Sequence, residues 1–100
     1  MIKHIVFWKL KDHAEGADRA ANAVKMKALL DSCAHLAPGT LKFEAVLAQP
    51  GFDTSHDVVL YSEFADLAAF QAYQEHPGHI ATKPFIAAVR ESRHCMDFEI

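Results

Sequence analysis

Apolar and polar positions alternate with a period of two in four segments of the chain, a pattern that predicts β-strands. The first segment, residues 2–10 (IKHIVFWKL), is apolar on both sides, which is typical of a strand covered on both faces. One side carries His4 with Ile2, Val6, Trp8 and Leu10, and the other carries Ile5 and Phe7. The other predicted strands are residues 41–49, 56–64 and 93–100.

A helical period follows the first strand and predicts a helix over residues 14–35. Its apolar residues form two adjoining rows. One row holds Ala17, Ala21, Val24 and Ala28, and the other holds Met26, Leu29, Leu30, Cys33 and Leu36. The sequence Ala37-Pro38-Gly39 ends this helix, because proline cannot continue it and glycine accepts the turn.

A second helix is predicted over residues 67–75, with Asp66 as its N-cap. We expect it to pack through Leu67, Phe70 and Tyr73.

The sequence YQEHPGH at residues 73–79 predicts a break at the end of this second helix. A residue before proline is driven out of the helical region, so His76 ends the helix. Pro77 suits the first position of a further helix, which we expect to continue through Phe85, Ile86 and Val89.

The predicted order is β-α-β-β-α-β, which defines an α+β, ferredoxin-like fold with one domain over residues 1–100. In this topology both helices cover one face of an antiparallel sheet and leave the other bare. Because the strands are apolar on both sides, the bare face needs a cover. We therefore expect a homodimer through the open sheet face, with the barrel-like interior that two such sheets enclose.

Composition and charge limit the classes of partner that the chain is expected to bind. The chain is 51% hydrophobic with a net charge of -3, and it has no Lys/Arg cluster for a nucleic acid backbone. Cys33 and Cys95 lack a CxxC spacing and are expected to be reduced and buried. The N-terminus is too short and too charged for a signal peptide or a membrane span. We therefore expect a cytoplasmic protein that contacts neither nucleic acid nor membrane.

Tyr73 and His79 are candidates for acid–base chemistry if the helix break turns both toward one cavity. A histidine titrates near working pH and suits a general base, and a tyrosine hydroxyl suits a donor to a developing oxyanion. The alternative is a capped helix junction, with His79 in solvent and Tyr73 in the core.

A metal site is a further alternative, because His76 and His79 are three residues apart. Proline and glycine separate them, and no other Cys/His set has ligand spacing, so we predict neither a metal nor a cofactor. The histidines at 13, 35, 56 and 94 show no partner pattern.

Three segments together resemble the stress-responsive α/β-barrel (Dabb) family: KHIVFWK in strand 1, the Tyr-x-x-His-Pro-x-His junction and DFE near the C-terminus. The resemblance covers essentially the whole chain. It implies a dimeric ferredoxin-like barrel with a cavity between sheet and helices. Some members carry a divalent ion at the dimer interface.

The resemblance also extends to the plant olivetolic acid cyclases, which close a linear polyketide by an aldol reaction. It implies that Tyr73 and His79 are catalytic and that His4 and Asp97 are pocket residues. Asp97 could orient either His4 or His79. Trp8 is a further pocket candidate, with the core or a dimer interface as its alternative. Val58 stands where the cyclase has a third pocket histidine.

Two functions are therefore expected. One is a cyclase-like acid–base enzyme acting on an apolar or aromatic carbonyl compound. The other is a non-catalytic dimer that binds an apolar or aromatic ligand or contributes to stress tolerance.

Overall fold

The fold is a four-stranded antiparallel sheet with helices on one face. The computed structural model describes residues 1–100. In chain order the elements are β1 (Ile2–Leu10), β2 (His13–Ala14), β3 (Ala17–Asp18), α1 (Arg19–Asp31), β4 (Thr40–Leu47), β5 (Val58–Phe64), α2 (Leu67–Glu75), α3 (Pro77–Ile80), α4 (Lys83–Val89) and β6 (Arg90–Glu99). The sheet order is β4-β5-β1-β6, which confirms the predicted ferredoxin-like α+β fold.

The predicted start of the first helix is wrong, because a short hairpin of β2 and β3 precedes α1. Glu15 and Gly16 have φ of 51° and 74° and form the turn of that hairpin, a conformation that glycine adopts without penalty. The Asp18 carboxylate then caps α1 by accepting a hydrogen bond from the Ala21 amide at 2.8 Å. A local turn and a local cap thus override the helical period upstream of residue 19.

Of the two apolar rows of α1, only the one that contains Met26 and Leu30 packs on the sheet. The buried residues of this helix are Asn22, Ala23, Met26 and Leu30. The row that contains Val24 faces solvent, and Val24 is 61% exposed. Alanine side chains offer little area to bury, so the long side chains of Met26 and Leu30 determine which side of the helix packs on the sheet.

Helix α2 has the predicted bounds and cap. Asp66 accepts a hydrogen bond from the Ala69 amide at 2.8 Å, and Phe70 and Tyr73 are buried. Leu67 was expected to pack as well, but it lies in the first turn and is exposed.

The helix break at His76 is confirmed, with ψ of 132° at this residue and Pro77 opening α3. The single helix expected after it is in fact two, α3 and α4. The Thr82 hydroxyl closes α3 by donating to the His79 carbonyl at 2.7 Å. Pro84 lies in the first turn of α4, where its missing N–H costs nothing.

The prediction that both cysteines are buried is wrong for Cys95, which lies on the edge strand β6. Cys33 is buried in the core, whereas Cys95 on β6 is exposed. In antiparallel register Cys95 lies opposite the core residue Val6, so it shares the helix-covered face. The helices do not cover this face out to β6, and Cys95 therefore remains accessible.

The opposite face of the sheet is bare, as the topology predicts. Successive strand residues alternate between faces, and this face carries Ile5 and its register partner Met96. Met96 is 66% exposed and Phe7 is 41% exposed. No helix of the chain is both long enough and apolar enough to cross a membrane.

Candidate functional site

A cavity of about 410 Å³ lies between the sheet and the helices. Four of the five residues singled out by sequence line it: His4, Trp8, Tyr73 and His79. Asp97, the fifth, reaches it through a contact with His4. Val6, Leu30, Leu60 and Ile86 contribute apolar side chains to the rest of the wall.

The helix break brings Tyr73 and His79 together. Their ring centroids are 4.4 Å apart, with 32° between the planes. His76 makes the turn between them by accepting a hydrogen bond from the Gly78 amide on Nδ1 at 3.0 Å. A Cβ on Gly78 would meet the Leu36 side chain at 3.0 Å, so glycine lets α3 approach the segment after α1. His76 is therefore a capping residue of the junction.

His79 is held as a neutral imidazole with a defined tautomer. Its Nδ1 lies 3.2 Å from the Gln74 carbonyl oxygen, which can only accept a hydrogen bond, so Nδ1 carries the proton and Nε2 carries the lone pair. Burial lowers the pKa of His79, and the positive charges of Lys83 and Arg93 lower it further against the opposing effect of the Gln74 carbonyl. Nε2 is thus an available base at neutral pH.

Tyr73 is held as a neutral phenol. The residue is 1% exposed, and burial raises the pKa of its hydroxyl well above the usual range, with a smaller contribution from Cys33. A phenol that does not ionise keeps its proton and can donate it in a hydrogen bond to a developing oxyanion.

His4 is oriented by Asp97, which settles the choice that the sequence left open between His4 and His79. The two residues are register partners across β1 and β6, and Nδ1 of His4 bonds to Oδ1 of Asp97. The ring of His4 packs on Phe70 with centroids 4.9 Å apart. Ser62 donates to the His4 carbonyl at 3.0 Å, so this histidine is fixed at backbone and side chain.

Trp8 is a core residue that also borders the cavity. It is 4% exposed, and its indole N–H is buried without a hydrogen-bond partner. Its register partner on β5 is Val58, which is itself buried. The position where the cyclases have a histidine is therefore apolar in this chain.

Three cations on the cavity wall were not identified from the sequence: Lys83, Arg90 and Arg93. Arg93 shares the alternation of Asp97 along β6 and lies opposite Trp8. The alternation along β6 was the one sequence signal that could have placed Arg93 on the cavity side, but it does not reveal that the helices leave room beside Trp8.

No cluster of three or more His, Cys, Asp or Glu side chains is close enough to hold a metal ion. His76 and His79 each use Nδ1 for a hydrogen bond within the helix junction. His76 therefore serves the local backbone, whereas His79 keeps Nε2 free of this hydrogen bond.

The family model of the stress responsive A/B barrel domain (Dabb) matches residues 2–100. Among curated proteins, none matches the chain.

Solved structures similar to this chain share the whole fold. A dimeric protein of unknown function from Bacteroides fragilis is 30% identical, with a TM-score of 0.81, and the match covers 99% of this chain and 95% of that one. A Dabb family protein from Mesorhizobium loti is 26% identical, with a TM-score of 0.67 and coverage of 99% and 95%. A dimeric protein of unknown function from Thermobifida fusca is 19% identical, with a TM-score of 0.84 and coverage of 99% and 90%, a likeness of fold alone.

Proposed function

This chain belongs to the stress-responsive A/B barrel (Dabb) family, and from that premise we propose that it binds a small apolar or aromatic carbonyl compound and catalyses acid–base chemistry on it. The observation that supports this proposal is the pair formed by Tyr73 and His79. A neutral imidazole and a neutral phenol lie side by side on the wall of one cavity. Their pKa values are displaced in opposite directions, which is the arrangement that a base and an oxyanion donor require.

An intramolecular aldol cyclisation illustrates the chemistry. Nε2 of His79 removes a proton alpha to a carbonyl, and the resulting enolate oxygen accepts a hydrogen bond from the Tyr73 hydroxyl. The enolate carbon then forms a bond to a second carbonyl carbon of the same compound. The proton on Nε2 passes to the new alkoxide, which returns His79 to its neutral form. His4, oriented by Asp97, supplies a second imidazole beside the reacting groups.

We also propose that the working unit is a homodimer formed through the open sheet face. The bare apolar face around Met96 supports this assembly. The proteins from Bacteroides fragilis and Thermobifida fusca are described as dimeric. A second copy of the same face would bury this surface with two-fold symmetry.

We propose a cytoplasmic location as well, because Cys33 and Cys95 are both free thiols, which persist in a reducing compartment. Fractionation of the source cells with an antibody to this protein tests it, and recovery in a secreted or membrane fraction would contradict it.

The function is tested by a thermal-shift screen of small aromatic, polyketide-like and acyl carbonyl compounds. The screen compares the wild type with His79→Gln, Tyr73→Phe and His35→Gln. His35 is exposed and does not line the cavity, so its variant controls for the loss of an imidazole. A compound that stabilises the wild type and the control, but not His79→Gln, is then incubated with each protein and its products are separated by mass spectrometry.

We expect turnover by the wild type and the control, and a loss of about 100-fold or more in His79→Gln, the usual contribution of a general base. Turnover that survives unchanged in both His79→Gln and Tyr73→Phe would reject the acid–base proposal.

A non-catalytic ligand-binding or stress-tolerance protein is the second candidate, and the apolar environment of Val58 favours it. With valine beside Trp8, the cavity lacks one imidazole of the cyclase set. In that case the screen yields compounds that bind and raise the melting temperature but are recovered unchanged after incubation.

A further inference from the structure

We infer that the compound bound in the cavity is an anion, an apolar or aromatic carboxylic acid whose carboxylate lies against Arg90, Arg93 and Lys83. The inference rests on the proposed function in one respect, that the cavity is a ligand site. It names the chemical class of the ligand, which the acid–base pair alone does not.

The charges on the cavity wall are all of one sign. Lys83, Arg90 and Arg93 line it, and no Asp or Glu does. The chain as a whole carries thirteen acidic and ten basic residues, so its net charge is negative. The cavity wall, in contrast, carries only positive charges. Asp97, which reaches the cavity through His4, is engaged by that histidine.

These three cations also lack acidic partners, unlike half of the basic residues. Five of the ten basic residues have a side-chain nitrogen within 4 Å of a carboxylate oxygen: Lys3, Lys9, Arg19, Lys27 and Lys42. None of the three cavity cations forms such a pair. Lys83 and Arg93 are nevertheless close enough to the catalytic pair for their charge to lower the pKa of His79. An anionic ligand would supply the missing counter-charge.

A bulge in the sheet places the two arginines on one face. Residues three apart on a regular strand point to opposite faces. Here Leu10 pairs with Arg90 while Lys9 pairs with Ser92, so Glu91 is the extra residue of a β-bulge. Arg90 therefore lies opposite Leu10 and Arg93 lies opposite Trp8, and both partners belong to the buried side of β1. Bulges commonly re-aim side chains next to functional sites.

Trp8 borders the part of the cavity where Arg93 lies, because the two residues are register partners across β1 and β6. The indole N–H of Trp8 is itself buried and has no hydrogen-bond partner. The guanidinium of Arg93 is therefore the donor at this place that can bind a carboxylate, in the charge-assisted geometry that arginine favours.

The rest of the cavity suits the apolar part of such an acid. Val6, Leu30, Leu60 and Ile86 line the cavity with apolar side chains. A volume of about 410 Å³ lies toward the small end of ligand sites. The occupant is thus a compound with one ring or one short chain and a single carboxylate.

Isothermal titration calorimetry tests the inference with a matched pair of probes, 4-butylbenzoate and its neutral analogue 4-butylbenzamide, at neutral pH and low salt. The variants are Arg93→Gln, which removes one cavity charge, and Arg93→Lys, which keeps it. Lys27→Gln removes the same charge from α1, where Lys27 pairs with Asp31 outside the cavity. Trp8 is the only tryptophan, so its fluorescence gives a second readout at the site. Inorganic phosphate is the third probe.

We expect the wild type to bind the benzoate about tenfold more tightly than the benzamide, the value of one charge-assisted hydrogen bond. Arg93→Gln should lose that preference, Arg93→Lys should retain part of it, Lys27→Gln should keep it, and added salt should reduce it.

The inference is overturned if both probes bind equally, if neither binds at millimolar concentration, or if Arg93→Gln keeps the preference. Phosphate binding as tight as that of the benzoate would also overturn it, because it would reveal a general anion site. Benzamide binding that depends on His79 but shows no preference for the acid would leave the proposed function standing and reject this inference alone.

Discussion

The rings of Tyr73 and His79 lie 4.4 Å apart on the two sides of the break between α2 and α3. The residues are six positions apart, and a straight helix would place them on different faces. The extended backbone of His76 turns the chain, so that the ring of His79 lies against the ring of Tyr73. A feature that ends a helix therefore also assembles the candidate acid–base pair.

The first prediction concerns the proton on His79. Because the Gln74 carbonyl accepts from Nδ1 and burial disfavours the imidazolium, we expect the Nδ1–H tautomer and a titration midpoint below 6.5. Long-range 1H–15N NMR correlation spectra recorded against pH measure both properties. The assignment is made by comparison with His79→Gln. A midpoint above 6.5, or an Nε2–H tautomer, would contradict the proposed base.

The second prediction concerns the stability of the fold against pH, and its sign follows from the same pKa. His79 has a lower pKa folded than unfolded, so as pH falls below 6.5 the unfolded chain binds the proton first and gains population. The wild type should therefore lose stability through this window, and the loss should be complete once pH is below the folded pKa. His79→Gln lacks this component. Urea unfolding at a series of pH values should show a flatter profile for the variant, and parallel profiles would refute the shift.

Local signals predict the elements around the site well, whereas contacts between strands escape sequence reasoning. Asp66 and Pro77 each act within a few residues, so the bounds of α2 and the start of α3 follow from the sequence. The pairing of Asp97 with His4 depends on the register of β1 and β6. The shared face of Arg90 and Arg93 depends on a bulge in that same pair. Neither the register nor the bulge leaves a periodic trace along the chain.

The third prediction concerns Gly39, which has two reasons to be glycine. Its φ is +85°, and a Cβ there would meet the Cβ of Ala69 at 2.8 Å. Gly51 has a similar φ of +87° but open space around it, so it is the matched control. We expect Gly51→Ala to cost about 1–2 kcal/mol for the backbone alone. Gly39→Ala should cost a further 1–3 kcal/mol, approximately, for the overpacking.

Urea unfolding of both variants measures these costs. The double variant Gly39→Ala/Ala69→Gly removes the overpacking but keeps the strained φ. It should be more stable than the sum of the two single changes predicts. Equal costs at Gly39 and Gly51 would show that the contact with Ala69 adds nothing.

The fourth prediction concerns the two thiols. Cys95 is exposed, whereas Cys33 is 1% exposed and burial raises the pKa of its thiol. Because the thiolate is the reactive form, Cys95 should react quickly with a thiol reagent such as DTNB and Cys33 only when the fold opens. Cys95→Ser should remove the fast phase and leave one slow thiol. Two fast thiols in the wild type would contradict the burial of Cys33.

The last prediction concerns the bare sheet face and its proposed partner. Met96 and Ile5 are adjacent on that face, and Met96 is largely exposed in one protomer, so Met96→Glu should leave the protomer folded. In a two-fold dimer the change places two carboxylates in an apolar interface, where unpaired charges are costly. We expect the variant to be a monomer by sedimentation velocity while the wild type is a dimer. Leu67→Glu makes the same type of change on the helix side, where Leu67 is 54% exposed, and should remain a dimer. A monomeric wild type, or a dimer that tolerates Met96→Glu, would place the assembly elsewhere on the molecule.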